Sequence, residues 1–93
     1  MSITRINEFQ AKPGRSDSLR EFLSSIMPLI ESLDGCQSCQ LLQSLDDSRR
    51  MLIIEVWDSV EARKVSIKNV PLGNFEKMMK ILAGPPKREY YST

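Results

Sequence analysis

A strand pattern that runs directly into a helix start, LIIEVWDSVEA at residues 52–62, places the strongest constraint on how this chain folds. Alternate residues of a strand face the same side, so Glu55 and Trp57 share one face of a sheet. Asp58 or Ser59 then follows at once as a helix cap. A carboxylate and the only tryptophan on one face suit a small reactive pocket, and they suit an ion pair beside a core residue equally well.

A first strand and an amphipathic helix are predicted before this segment. Residues 3–11 alternate loosely, and 12–14, Lys-Pro-Gly, break the strand. Ser16 offers an N-cap for the helix, and Ser18 with Glu21 offers an alternative capping box. Pro28 should kink the helix, which Asp34-Gly35 ends. Spacings of three, four and seven give one apolar stripe, formed by Leu19, Phe22, Leu23, Ile26, Ile30 and Leu33.

The remaining elements complete a β-α-β-β-α-β order. Strands from Cys36 to Leu45 and from Arg50 to Trp57 flank a hairpin turn at 46–49, so they should be antiparallel neighbours. The second helix runs to about Lys68 with Ala62 and Val65 inward; Pro71 and Gly73 interrupt it before helical spacing resumes at Phe75, Met78, Met79 and Leu82. Gly84-Pro85-Pro86 stops it, and Arg88 to Ser92 forms the last strand. This order predicts one ferredoxin-like α+β domain over residues 1–93, with an antiparallel sheet.

Length and charge narrow the classes of partner. The 93 residues carry 13 basic and 12 acidic side chains with no basic stripe, so nucleic acid is not expected as a ligand. No stretch resembles a signal peptide or a membrane span, and the expected location is the cytoplasm. A chain this short buries a marginal core, which favours an oligomer.

The two cysteines form a CxxC at Cys36 and Cys39. The chain has no histidine and no other cysteine, so it cannot build a closed zinc site from thiolate and imidazole. A thioredoxin-type pair lies at a helix N-terminus, whereas this pair opens a strand that should send the two side chains to opposite faces. Two reduced, partly buried thiols are therefore expected.

Several segments, taken in order, resemble the antibiotic biosynthesis monooxygenase domain. They are Lys12-Pro13-Gly14 before a helix, Asp34-Gly35-Cys36 at a strand start, Asp46-Asp47 at a turn, Glu55 to Ser59 followed by Glu61-Ala62, and Leu82 to Pro86 before the final strand. The resemblance covers nearly the whole chain. It implies a homodimeric α+β barrel, in which two four-stranded sheets pack together and each subunit holds a pocket between its sheet and its helices.

The resemblance also implies a chemistry. Members of the family oxygenate polycyclic phenols and quinols without metal or flavin, and one branch binds and degrades haem. An asparagine on the first strand and a tryptophan on the third recur in their pockets, and Asn7 and Trp57 match these positions. Many members carry histidines near the positions of Ser66 or Ile67 and of Leu72, but this chain has none. Haem is discounted because its usual axial ligand is missing, and neither a cofactor nor a metal is expected.

Each candidate catalytic residue has a structural alternative. Asn7 could donate a hydrogen bond to a developing oxyanion or peroxide, or it could satisfy backbone groups. Trp57 could form an aromatic wall and offer its indole N–H to a substrate oxygen, or simply fill the core. Glu55 could act as general base if burial makes its carboxylate basic enough, or it could pair with Arg5 on a neighbouring strand.

The predicted binding surface is apolar. Five side chains could line a cavity or equally form a core: Phe9, Phe22, Phe75, Met78 and Met79. Tyr90 and Tyr91 face opposite sides of the last strand, so one of them at most approaches the pocket. The sequence thus predicts a small cofactor-independent monooxygenase acting on a phenolic, quinol or similar electron-rich molecule with dioxygen. The alternative is a noncatalytic dimeric module that binds an apolar ligand or a protein partner.

Overall fold

The computed structural model describes residues 2–68 and 73–93, with side chains for all of these except 73–75. The described elements, in chain order, are β1 (Ile3–Gln10), α1 (Ser16–Glu31), β2 (Cys36–Gln43), β3 (Arg50–Trp57), α2 (Val60–Ile67), α3 (Gly73–Ile81) and β4 (Lys87–Ser92). The strands form one antiparallel sheet in the order β2-β3-β1-β4. The predicted ferredoxin-like α+β arrangement is confirmed. The predicted break at Pro71 lies outside the described residues.

One face of the sheet, called the inner face here, packs against the helices and carries the core. The β1–β3 register sets Arg5 opposite Glu55, and the β1–β4 register sets Tyr90 opposite Arg5 and Arg88 opposite Asn7. Apolar side chains pack together at the other end of this face, away from the polar side chains Arg5, Asn7 and Glu55. The buried core cluster comprises Phe9, Ala11, Leu19, Leu23, Met51, Ile53, Met78, Ile81 and Leu82. The inner face therefore combines a packed apolar end with a buried polar end.

A close approach at Gly35 fixes α2 against the start of β2. Gly35 has φ 88°, and a β-carbon built there would lie 2.9 Å from the β-carbon of Ala62. The Gly35 carbonyl accepts the Asp58 amide at 2.8 Å, and Ser59 caps α2 by accepting the Ala62 amide at 3.0 Å. Of the two predicted caps, the structure thus uses Ser59. This junction holds the helix directly beside the end of β3.

Several predicted details are corrected. Arg15, without a side-chain cap, occupies the N-cap of α1, so neither Ser16 nor the Ser18–Glu21 box caps it. The strand β2 ends at Gln43 rather than Leu45, because the Ser44 hydroxyl accepts the amides of Asp46 and Asp47 and turns the chain.

The inward face of α2 also differs from its prediction. Val65 is 65% exposed, whereas Ser66 is buried and donates to the Asp34 carbonyl at 2.6 Å. Among the described residues, no helix is both long enough and apolar enough to cross a bilayer.

The prediction that Cys36 and Cys39 face opposite sides is wrong. A register shift between Cys36 and Ser38 adds a residue to the strand, so Cys36 pairs with Trp57 and Cys39 pairs with Glu55. Both partners lie on the inner face. Both thiols are free, and burial raises the pKa of each. Thiols with raised pKa values are weak nucleophiles at neutral pH.

Candidate active site

A cavity of about 110 Å³ lies between the inner face and the helices. Its polar lining comes from Arg5 and Asn7 on β1, Glu55 on β3, Arg63 on α2 and Arg88 on β4. The rest of the lining is apolar: Phe9, Phe22, Ile26, Leu29, Ile30, Ile53, Ile67 and Met78. An apolar cavity with a few convergent polar groups is the usual form of a small-molecule site.

Glu55 is the centre of a buried hydrogen-bond network at the polar end. Its Oε1 accepts the Trp57 indole N–H at 2.8 Å, and its Oε2 accepts Asn7 Nδ2 at 2.8 Å and Arg5 Nη1 at 3.3 Å. The Arg5–Glu55 ion pair is the salt bridge proposed from the sequence, and that pairing is confirmed. Three donors occupy most of the roughly four acceptor positions of this carboxylate, so Glu55 keeps little capacity to accept a substrate proton. In this arrangement the carboxylate positions its neighbours.

The network also fixes the orientation of the Asn7 amide. A carboxylate without its proton only accepts hydrogen bonds, so the nitrogen of Asn7 must face Glu55. The same Nδ2 approaches the Ile53 carbonyl at 3.5 Å. Asn7 is 2% exposed and lines the cavity, and its nitrogen is engaged by the protein. The atom left for a ligand is Oδ1, which accepts hydrogen bonds, rather than the donor expected from the sequence.

Trp57 lies behind the cavity rather than in its wall. The residue is fully buried, its ring lies 3.8 Å from a β-carbon built at Gly35, and it is not among the residues that line the cavity. The expectation of an aromatic wall at Trp57 is therefore corrected. Its indole N–H is used by Glu55, because these two side chains lie on the same strand face. Trp57 is therefore connected to the cavity only indirectly, through its hydrogen bond to Glu55 in the described structure.

Positive charge dominates the polar end. The Arg5 guanidinium carbon lies 5.9 Å from the centre of the Tyr90 ring, and Arg63 Nη1 donates to the Tyr90 hydroxyl at 3.3 Å. Burial lowers the pKa of Arg5, the Glu55 carboxylate opposes that shift, and the nearby cations Arg63 and Arg88 add to it. Three guanidinium groups thus face one carboxylate in the described lining. As predicted, Tyr90 and Tyr91 lie on opposite faces, and Tyr90 is the one at the cavity end.

Only some of the five predicted apolar binding residues line the cavity. Phe9, Phe22 and Met78 line the cavity. Met79 does not, because it is 52% exposed on the outer side of α3, and its prediction as a binding residue is wrong. The side chain of Phe75 lies outside the described residues.

Sequence reasoning missed the cationic groups Arg63 and Arg88. Arg88 had a usable signal, since it alternates with Tyr90 and shares its strand face. Arg63 had a weaker one, because it lies four residues before Ile67 on the same side of α2 and both line the cavity. The incorrect inward placement of Val65 obscured it.

The geometry defines an α+β domain with a largely apolar cavity that ends in a buried polar network. A family model described as antibiotic biosynthesis monooxygenase matches residues 2–65. The chain belongs to this family. No curated protein matches it.

Solved structures share the fold over nearly the whole chain. Rv0793 from Mycobacterium tuberculosis is 21% identical with a TM-score of 0.87, covering 100% of this chain and 95% of that one. A Nitrosomonas europaea protein assigned to the antibiotic biosynthesis monooxygenases is 17% identical with a TM-score of 0.90, covering 99% and 89%. SnoaB, a cofactor-independent oxygenase from Streptomyces nogalater, is 15% identical with a TM-score of 0.84, covering 99% and 92%. At these identities the likeness establishes the fold.

Proposed function

We propose that this protein is a small monooxygenase that oxidises a phenolic or quinol substrate with dioxygen, without metal or flavin. The observation that carries the proposal is the cavity itself, which is apolar over most of its lining and ends at Asn7 and a guanidinium cluster. Family membership and the likeness to a cofactor-independent oxygenase support the same chemistry.

The first step is the binding and ionisation of a phenol. The substrate hydroxyl donates to Asn7 Oδ1, because the amide nitrogen is engaged by Glu55. The guanidinium group of Arg5, 6% exposed, lies on the same strand face and stabilises the phenolate that forms. Nearby positive charge lowers the pKa of a bound phenol, so the proton passes to solvent and no histidine is required.

The second step uses the electron-rich phenolate. It passes one electron to dioxygen, and the resulting superoxide and phenoxyl radical join through a new C–O bond. The hydroperoxide that forms then loses water, and its carbon becomes a carbonyl. One oxygen atom enters the product and the other leaves as water, so that phenol plus dioxygen gives a quinone plus water. The protein supplies orientation and a water-poor cavity, which raise the rate of such steps.

Glu55 and Trp57 act as positioning residues in this scheme. The carboxylate orients Asn7 so that Oδ1 remains available, and the indole N–H holds the carboxylate from behind. Hydrogen-bonded support of this kind fixes the geometry of the group that touches the substrate.

Oxygen uptake with a panel of quinols tests the proposal. The wild type should exceed the rate of substrate autoxidation, and ¹⁸O₂ should place one labelled atom in the organic product. Asn7→Ala should lower kcat by about a hundredfold, because it removes the contact that orients the substrate hydroxyl beside Arg5. Met79→Leu, an exposed control, should match the wild type. Equal rates for Asn7→Ala and the wild type would overturn the site assignment, and ligand binding without uptake would support the noncatalytic module.

We also propose that two chains form the α+β barrel through the outer face of the sheet. That face carries the pairs Ile6–Ile54 and Leu42–Leu52, and Leu42 is 40% exposed. An apolar face of this kind favours association with a second sheet. Light scattering should give twice the 10.6 kDa of one chain. Ile54→Glu should give one chain's mass, and a wild-type monomer at micromolar concentration would contradict the barrel.

A further inference from the structure

The polar end of the cavity carries more positive charge than the protein neutralises. Arg5, Arg63 and Arg88 line it together with a single described acid, Glu55, which leaves a sum of +2. Glu55 is paired with Arg5 at 3.3 Å. Among the residues that the structure describes, Arg63 and Arg88 have no carboxylate within ion-pair distance. Arg88 is exposed to solvent, whereas Arg63 is partly buried, and an anionic ligand would supply the partner that its charge lacks in the described structure.

Arg63 and Arg88 line the same cavity as Asn7, the proposed hydroxyl-binding residue. Arg88 lies directly across the β1–β4 ladder from Asn7. Arg63 donates to the Tyr90 hydroxyl at 3.3 Å, and its buried Nε has no hydrogen-bond partner in the described part of the chain. A buried donor without an acceptor lowers stability, and an anionic ligand can supply that acceptor.

The cavity is small and partly open to solvent, with a volume of about 110 Å³. An enclosed apolar cavity of about 150 Å³ accommodates benzene, so a single ring would fill this space with its substituents toward the open end, and a fused polycyclic system would exceed it. The ring would lie among Phe9, Phe22 and Met78, all of which line the cavity.

We propose that the cavity selects a single-ring aromatic substrate that carries a carboxylate, which Arg63 and Arg88 bind while the phenolic hydroxyl lies at Asn7. The inference rests on the proposed function for the role of that hydroxyl. A carboxylate suits guanidinium groups because its two oxygens match their planar donor pairs. Its single negative charge, added to that of the phenolate formed at Asn7, balances the +2 of the lining.

Calorimetric titration under anaerobic conditions tests this selection without turnover. The probes are 2,5-dihydroxybenzoate and its neutral counterpart 2,5-dihydroxybenzamide, which differ only in the charged group. The acid should bind about tenfold more tightly or better, because a hydrogen bond to a charged group contributes more than one to a neutral group. Its affinity should fall as the salt concentration rises, and that of the amide should not.

Single charge removals separate the cavity from the general surface charge. Arg63→Gln and Arg88→Gln should each reduce the preference for the acid. Lys87→Gln is the matched control. Lys87 precedes Arg88 on β4 and lies opposite Glu8 in the β1–β4 ladder, with its side chain on the outer face. That variant should keep the wild-type preference. Far-ultraviolet circular dichroism confirms that each variant is folded, and Arg88 is exposed, so its replacement does not disturb the core.

The outcomes distinguish this inference from the proposed function. Equal affinity for the acid and the amide, or no binding of either at millimolar concentration, overturns the selection. An unchanged preference in both arginine variants overturns the assignment of Arg63 and Arg88. Tight binding of the acid without oxygen uptake refutes the oxygenase and keeps the selection. Oxygen uptake with equal affinity for both probes refutes the selection and keeps the oxygenase.

Discussion

Replacing Glu55 by glutamine should destabilise the fold far more than the same change at another arginine–glutamate pair between the same strands. Glu55 accepts three donors in a buried site, where its side chain is 4% exposed and that of Arg5 is 8% exposed. Glutamine keeps the shape of the side chain but has only one oxygen. Its amide nitrogen, a donor, replaces one of the two oxygens that accept hydrogen bonds in the wild type. At least one buried donor then loses its partner, and Arg5 loses its counter-charge.

The size of the effect follows from burial. Breaking a buried ion pair by removing one charge costs about 3–5 kcal/mol. A domain of this size is stable by about 5–15 kcal/mol, so Glu55→Gln removes a large part of the total. Glu8 and Arg50 form the matched pair at 3.4 Å, with side chains 37% and 51% exposed. Solvent screens that pair in a single chain, where Glu8→Gln should cost about 0–1 kcal/mol.

Urea unfolding and thermal unfolding of the wild type and both variants measure the difference. All three should be compared at one protein concentration, because association makes apparent stability depend on concentration. At about 4–8 °C per kcal/mol, the melting temperature of Glu55→Gln should fall by more than about 12 °C. Equal midpoints for the two variants, or a loss below about 1 kcal/mol at Glu55, would refute the buried network as a stabilising element.

Gly35→Ala should destabilise more than Gly14→Ala, because both glycines have positive φ but only at Gly35 does a new β-carbon meet Ala62 at 2.9 Å; equal shifts in thermal unfolding would contradict this. Burial raises the pKa of Cys39 from 9.0 to about 12, so its thiolate fraction at pH 8 is about a thousandfold below that of a free thiol. Iodoacetamide alkylation, followed by mass spectrometry, should be slower by at least about a hundredfold and rise beyond pH 9; a free-thiol rate would refute it. Ser59→Ala should cost about 1 kcal/mol in urea unfolding, because the Ser59 hydroxyl caps α2, and an unchanged midpoint would argue against that cap.

The element order could be predicted from the sequence because hydrophobic periodicity and turn residues are local signals. The bounds of β3 are those predicted, and Ser59 caps α2 as one of two predicted residues. The failures have local causes that the pattern does not encode. An extra residue in β2 turns Cys36 and Cys39 to one side, and hydrogen bonding of Ser66 to the Asp34 carbonyl outweighs the greater hydrophobicity of Val65.

The candidate site was predictable at the level of faces but not of atoms. Alternation placed Glu55 and Trp57 on one strand face, and the family resemblance placed Asn7 in the same pocket as Trp57. The β1–β3 register brings the three side chains into one network. Which atom of Asn7 is available, and whether Trp57 borders the cavity, depend on hydrogen bonds that connect different strands. The charge contributed by Arg63 depends on how α2 packs, which no local pattern specifies.

β4 lies at the edge of the sheet, and all six of its residues are exposed. It nevertheless contributes Arg88 and Tyr90 to the cavity end. Segments with little buried surface open more easily than a packed core. Detachment of β4 would move Arg88 and Tyr90 away from the cavity while the central strands stayed folded. The proposed recognition of a carboxylate therefore depends on the least protected strand, and we expect mild denaturant to abolish it before the domain unfolds.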